Sequence, residues 1–193
     1  MSDTRPFGLP DGQQAGNLIL VAIHGWALSV EVFLRRDFGS RYIGAYGALV
    51  PIIILLQAMM WERQDLTPLF LFCGLFLLFC GAARLDALWR ARRGEMNHTY
   101  YSGSPILKKF LPCCSEATVK KFVEPLFVFG VGMLLGDWNP PLGVYMCFAS
   151  ACLLVRVHHA EMCLRRRAAE MNDAVLEQED VAQRFRDLRG DYF

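Results

Sequence analysis

Between Thr67 and Ala83 the sequence TPLFLFCGLFLLFCGAA contains no charged side chain, and the first charge after it is Arg84. A run of this kind sits near the lower limit of the roughly 17–25 residues that carry a helix across a bilayer core. Few soluble folds accommodate it. Beyond it come Arg84, Arg90, Arg92 and Arg93 with Trp89 among them, the composition of a cytoplasmic membrane boundary. The segment is thereby oriented from outside to inside, and the other apolar runs are placed relative to it. The expected fold is all-α: a polytopic integral membrane helical bundle of two transmembrane hairpins plus an N-terminal hydrophobic helix, with a long C-terminal cytoplasmic helix.

Composition supports this reading through its distribution. The chain is 54% hydrophobic, above the roughly 45–50% of soluble domains, and its apolar residues fall in blocks separated by charge-dense segments. A net charge of +1 gives no bulk case for nucleic-acid binding. The seven cysteines read as reduced thiols: Cys73, Cys80, Cys147 and Cys152 lie in apolar runs, while Cys113, Cys114 and Cys163 fall on the cytoplasmic side. Residues 1–17 form a short polar tail without a basic n-region or a small-residue cleavage site.

The transmembrane domain is expected over 18–158, with spans at about 18–34, 42–61, 67–88, 122–138 and 141–157, and a cytoplasmic helical tail over 159–193. The first span carries His24 and Glu31, which with Asn17 recur every seven residues on one face, and Arg35 follows one turn later. This helix either crosses with its polar stripe toward the bundle or lies in the interface with the stripe toward water; crossing is the better match. The polar pair reads as helix-to-helix hydrogen bonding, with a proton relay as the sharper alternative. The second span holds Gly44 and Ala48 at a four-residue step, with Pro51 expected to bend it. Gly74 and Gly81 give the third span a similar small-residue face. In the fourth, entered through Glu124 and Pro125, Gly132 and Gly136 form a GxxxG pair, and Gly143 with Ala151 continues the theme in the fifth. The second hairpin repeats the plan of the first, as a duplication or simply as two hairpins obeying one charge rule.

Residues 94–121 form the one long link, cytoplasmic by this topology. Glu95, His98, Tyr100 and Tyr101 can accept, donate and stack, and Gly103 and Pro105 suit a defined turn. The segment is either a binding epitope for a partner or an interfacial loop with tyrosines and lysines at the headgroups. One His with one Glu is too few for a zinc site. Cys113 and Cys114 read as unmodified.

From Arg156 to Arg189 neither Gly nor Pro interrupts a run of helix formers, enough for a helix of roughly 50 Å. Leu164, Ala168, Met171, Val175, Ala182 and Phe185 recur at three-and-four spacing, with Gln178 filling the remaining slot, a thin coiled-coil seam suited to docking a partner. Lysines and arginines test the topology. Three lie from Arg35 to Arg41, eight from Arg84 to Lys121 and seven from Arg156 onward, against only Arg5 and Arg63 on the other side. That is a strong positive-inside bias, consistent with a bacterial inner-membrane protein whose C-terminus is cytoplasmic.

The sequence offers no nucleophile–base pair, phosphate-binding loop or haem-ligand pair, and calls for no cofactor or metal. The expected function is a non-catalytic membrane subunit that scaffolds or anchors a larger assembly, with the bilayer, other membrane subunits or a second copy, and a cytoplasmic partner of the C-terminal helix as its company. Two other classes stand beside it. One is a homo-oligomeric channel lined by the His24 and Glu31 stripe. The other is a small membrane-embedded enzyme working at the cytoplasmic interface through the loop from Glu95 to Tyr101.

Overall fold

A computed structural model describes residues 11–39, 42–44, 46–61, 63–93 and 102–190. The fold is all-α, as the apolar blocks require. Helix α1 spans Asp11–Leu34, α2 Tyr46–Met59, α3 Thr67–Arg92, α4 Glu116–Thr118, α5 Glu124–Trp138 and α6 Pro140–Gly190. Within α1, α3 and α6 lie three segments long and apolar enough to cross a membrane, Gly16–Leu34, Thr67–Arg90 and Pro140–Asp187. α2 and α5 are shorter, at 14 and 15 residues. The chain divides into two compact units, one ending at Arg156 and the other beginning at Val157.

The first unit is organised around α1 rather than α3. From Ala27 to Val32 every residue of α1 is buried. Aromatic side chains fix its neighbours: Phe33 meets Phe72 and Phe79 of α3, with ring centroids 5.5 and 4.9 Å apart, and Trp26 meets Phe148 of α6 at 4.6 Å. Such offset and edge contacts add to simple area burial. Gly25 lets α2 approach closely, since a Cβ there would come within 2.7 Å of Ile53 Cδ1. By contrast α3 leaves Leu71, Leu75, Leu77 and Leu78 exposed.

Local chemistry sets the boundaries. Asp65 Oδ1 accepts from the Thr67 amide at 3.0 Å at the start of α3. Asn139 separates α5 from α6 and caps the latter, its Oδ1 accepting from Leu142 N at 3.1 Å, with Pro140 at the first helical position where its missing N–H costs nothing. Its Nδ2 donates to Asp65 O at 2.8 Å, tying this turn to the one between α2 and α3.

Two features depart from the sequence reading. The fourth apolar run does not begin at Glu124 and Pro125: Ser115 caps α4, accepting from Thr118 N, and helical structure continues through a π turn over Val119–Val123 into α5. Pro125 thus lies inside a helix. Proline has no N–H to bond four residues back, and the widened turn, in which Glu124 N donates to Val119 O, absorbs the mismatch. The second departure is a short antiparallel bridge. β1, Arg35–Arg36, pairs with β2, Ser104–Pro105, Arg35 opposite Pro105 and Arg36 opposite Ser104. It holds the end of α1 to the middle of the long link.

Candidate functional site

Where α1 ends, four charged side chains from distant parts of the sequence meet in the interior. Glu31 lies in the last turn of α1, Arg35 in β1, Glu124 at the start of α5 and Arg156 on α6. Glu31 is 1% exposed, Glu124 0% and Arg35 3%, so whatever neutralises them is protein. Arg35 serves both acids. Its Nε and Nη2 donate to Glu124 Oε2 at 2.9 and 2.6 Å, and its Nη1 lies 3.1 Å from Glu31 Oε1. Arg156 Nη1 donates to Glu31 Oε2 at 2.7 Å, and the Tyr42 hydroxyl donates to the same oxygen at 2.8 Å. The Arg156 guanidinium stands over the Tyr42 ring, 4.9 Å from its centroid, a cation–π contact strengthened by desolvation.

With both carboxylates and both guanidinia ionised the cluster is neutral, the condition on which buried charges persist. Burial alone would lower the Arg35 pKa; the carboxylates of Glu31 and Glu124 reverse that and hold the guanidinium above its ordinary value. Two carboxylate oxygens, Glu31 Oε1 and Glu124 Oε1, are buried and receive no hydrogen bond, although the first is ion-paired with Arg35. A second, more exposed tier lies beside the first. Asp37 takes a left-handed backbone conformation, φ 62°, which aspartate tolerates better than most residues. Its Oδ1 lies 3.0 Å from Arg90 Nη1 of α3 and its Oδ2 accepts from Ser104 Oγ at 2.9 Å. This tier joins the segment after α1 to the end of α3 and to the long link.

The residues singled out from sequence fall as follows. Glu31 is at the centre of the cluster. His24 is about two turns away along α1: its Nδ1–H donates to Leu20 O at 2.7 Å, and its ring stacks on Tyr46 with centroids 5.5 Å apart. Asn17, the third member of the stripe, is exposed. Gly103 adopts φ +81°, and a Cβ there would meet Arg36 O at 2.6 Å, so this position needs glycine to make the β1–β2 approach. Pro105 is buried in β2. Glu95, His98, Tyr100 and Tyr101 lie outside the described residues. Gly44 is in a turn ahead of α2, φ +26°, rather than on a helix face, and Ala48 is exposed. Gly132, Gly136 and Gly143 meet where α5 crosses α6: a Cβ on Gly143 would clash with the Gly136 backbone, and one on Gly132 would stand 2.9 Å from Cys147 N. Ala151 is exposed on α6. Gly74 and Gly81 face open space, with no atom within 4 Å of an added Cβ.

In the second unit Leu164, Ala168, Met171, Val175, Ala182 and Phe185 are all exposed along α6. Cys163 Sγ lies 3.9 Å from both ring nitrogens of His159, and among the described residues no three His, Cys, Asp or Glu side chains gather as a metal site.

Sequence reasoning found Glu31 and noted Arg35 one turn on, but missed Glu124, Arg156 and Tyr42 as their partners. The available signal was isolation. Glu124 and Arg156 are single charges among apolar neighbours (FVEPLF and LLVRV), where a charge needs a reason. No protein-family model, curated protein or solved structure matches this chain.

Proposed function

We propose that this chain is a non-catalytic integral membrane subunit that anchors or scaffolds a larger inner-membrane assembly, docking its partner along the α6 segment beyond Val157. One observation carries the reading. Leu164, Met171, Val175 and Phe185 are 52–70% exposed along a formed helix, a face that nothing in its own unit covers. An apolar stripe at alternating three- and four-residue steps, interrupted at Gln178, is the seam of a helix that packs on another. Charge argues for a different partner over a second copy. In a parallel pair the flanking positions would set Arg167 against Asn172, Ala174 against Glu179 and Val181 against Arg186, none of them an opposite-charge match.

The topology in this reading has both hairpins returning to the cytoplasm, with the basic segments on that side. The buried cluster supports a scaffold more than a pore lined by His24 and Glu31. Glu31 Oε2 accepts from Arg156 and Tyr42 and Oε1 is ion-paired with Arg35, which ties the buried carboxylate to protein groups rather than to an ion path. Native purification of the full-length protein in mild detergent, with mass determination, tests the proposal. Stoichiometric foreign subunits are expected, and their loss when residues 162–193 are removed while membrane insertion persists. A pure homo-oligomer would overturn it.

A further inference from the structure

A groove of about 600 Å³ runs between α1, α2 and α6, walled by Ala22, Trp26, Ile53, Leu56 and Phe148. That volume lies within the roughly 300–1,000 Å³ of small-molecule sites. One polar side chain, Gln57, joins the apolar wall and is only 9% exposed. Its Nε2 donates to Pro141 O at 2.9 Å, and since a carbonyl can only accept, the amide nitrogen is fixed on that side. Its Oε1 is then the group left over, and it accepts from no donor among the described residues. On the α1 wall the Trp26 indole N–H is buried without an acceptor. Of the two, only Gln57 Oε1 opens onto the apolar groove, since the Trp26 nitrogen is closed off by protein.

In water such groups are satisfied by solvent; in a hydrocarbon layer no water is at hand, and the partner has to be brought by an amphiphile. A hydroxyl suits this wall because it can donate to the carbonyl oxygen left over. We propose that the groove binds the apolar chain of a hydroxyl-bearing membrane lipid, whose hydroxyl donates to Gln57 Oε1. The inference rests on the membrane reading above but concerns a different face of the molecule from the α6 seam.

The test uses full-length protein with Trp61, Trp89 and Trp138 changed to Phe, so that Trp26 reports from within the groove. In phosphatidylcholine nanodiscs it is titrated with a monoacylglycerol brominated on its chain, and separately with phosphatidylcholine carrying the same brominated chain, which has no hydrogen-bond donor. Saturable quenching by the monoacylglycerol is expected, with quenching by the phosphatidylcholine rising only in proportion to its mole fraction. Gln57→Leu should raise the half-saturation point about five- to tenfold, the effect of one lost hydrogen bond in this setting. Ala22→Phe fills the groove without touching the Gln57–Pro141 bond and should abolish saturation. Equal quenching by both lipids, or saturation that neither substitution alters, overturns the site alone. Failure of the folded protein to enter discs overturns the membrane reading and the site together.

Discussion

Arg156 Nη1 donates to Glu31 Oε2 at 2.7 Å, joining α6 to the end of α1 across 125 positions of sequence. With the Arg35–Glu124 pair, 89 positions apart, it closes the first unit through its interior. Pairs buried to this degree are weak net stabilisers, but breaking one strands a charge.

Arg35 is shared by two acids, so its loss should be the most damaging single change in the cluster. Arg35→Met is expected to destabilise by about 3–5 kcal/mol, because Glu124 then has no guanidinium in a fully buried site. Arg35→Met with Glu124→Leu should recover much of that loss. Unfolding in mixed detergent micelles, read as a double-mutant cycle, measures it; additive losses would mean that the two side chains act independently.

The glycines divide by what surrounds them. Gly103→Ala and Gly143→Ala should each cost about 1–3 kcal/mol, the first through its φ of +81° and contact with Arg36 O, the second by forcing α6 away from Gly136. Gly74→Ala and Gly81→Ala face open space inside α3 and should be neutral or stabilising by up to about 1 kcal/mol. The same unfolding assay ranks all four, and losses at positions 74 and 81 as large as at 143 would show that α3 packs on something else.

Asp65 is exposed, and its hydrogen bonding with Thr67 holds its carboxyl below the usual aspartate range. A depressed acid contributes above its unfolded pKa and loses that contribution as pH falls through the folded value. Protection of the Thr67 amide against exchange should therefore be high at neutral pH and fall only under acid. Asp65→Asn keeps an acceptor and should preserve protection; Asp65→Ala should abolish it at every pH. Hydrogen exchange by mass spectrometry reads both.

On the α6 seam, Met171→Glu and Val175→Glu should each release the docked partner while leaving insertion and helix content intact, because both side chains are exposed in the isolated chain. Leu176→Glu, one residue off the seam and equally exposed, is the control and should retain the partner. Co-purification measures the loss.

How much of this was legible depended on the range of the interaction. The helices followed from apolar runs, and the uninterrupted α6 followed from the lack of Gly and Pro after Gly143 until Gly190, both local properties. The Asn139–Pro140 cap is equally local, though only its turn was read. Glu31 was visible because a charge amid valines and leucines is conspicuous. Its pairing with Arg156 was not, since nothing in either neighbourhood encodes which residue lies 125 positions away. Gly44 misled because small-residue spacing says nothing about whether the glycine is inside the helix or in the turn before it. The π turn was hidden because Pro125 looks the same at a helix start as within a widened turn.

The buried cluster also bears on how the protein is made. Synthesis delivers the chain from its N-terminus, so α1 emerges with Glu31 and Arg35 already able to pair with each other, one turn apart. Tyr42 follows soon after, but their remaining charged partners arrive only with Glu124 and Arg156, after two further apolar helices have passed. Until then the end of α1 carries half-satisfied charges, and in the membrane reading proposed above its most favourable place is the headgroup layer. Among the described helices, α1 is in this way made ahead of the partners that settle it.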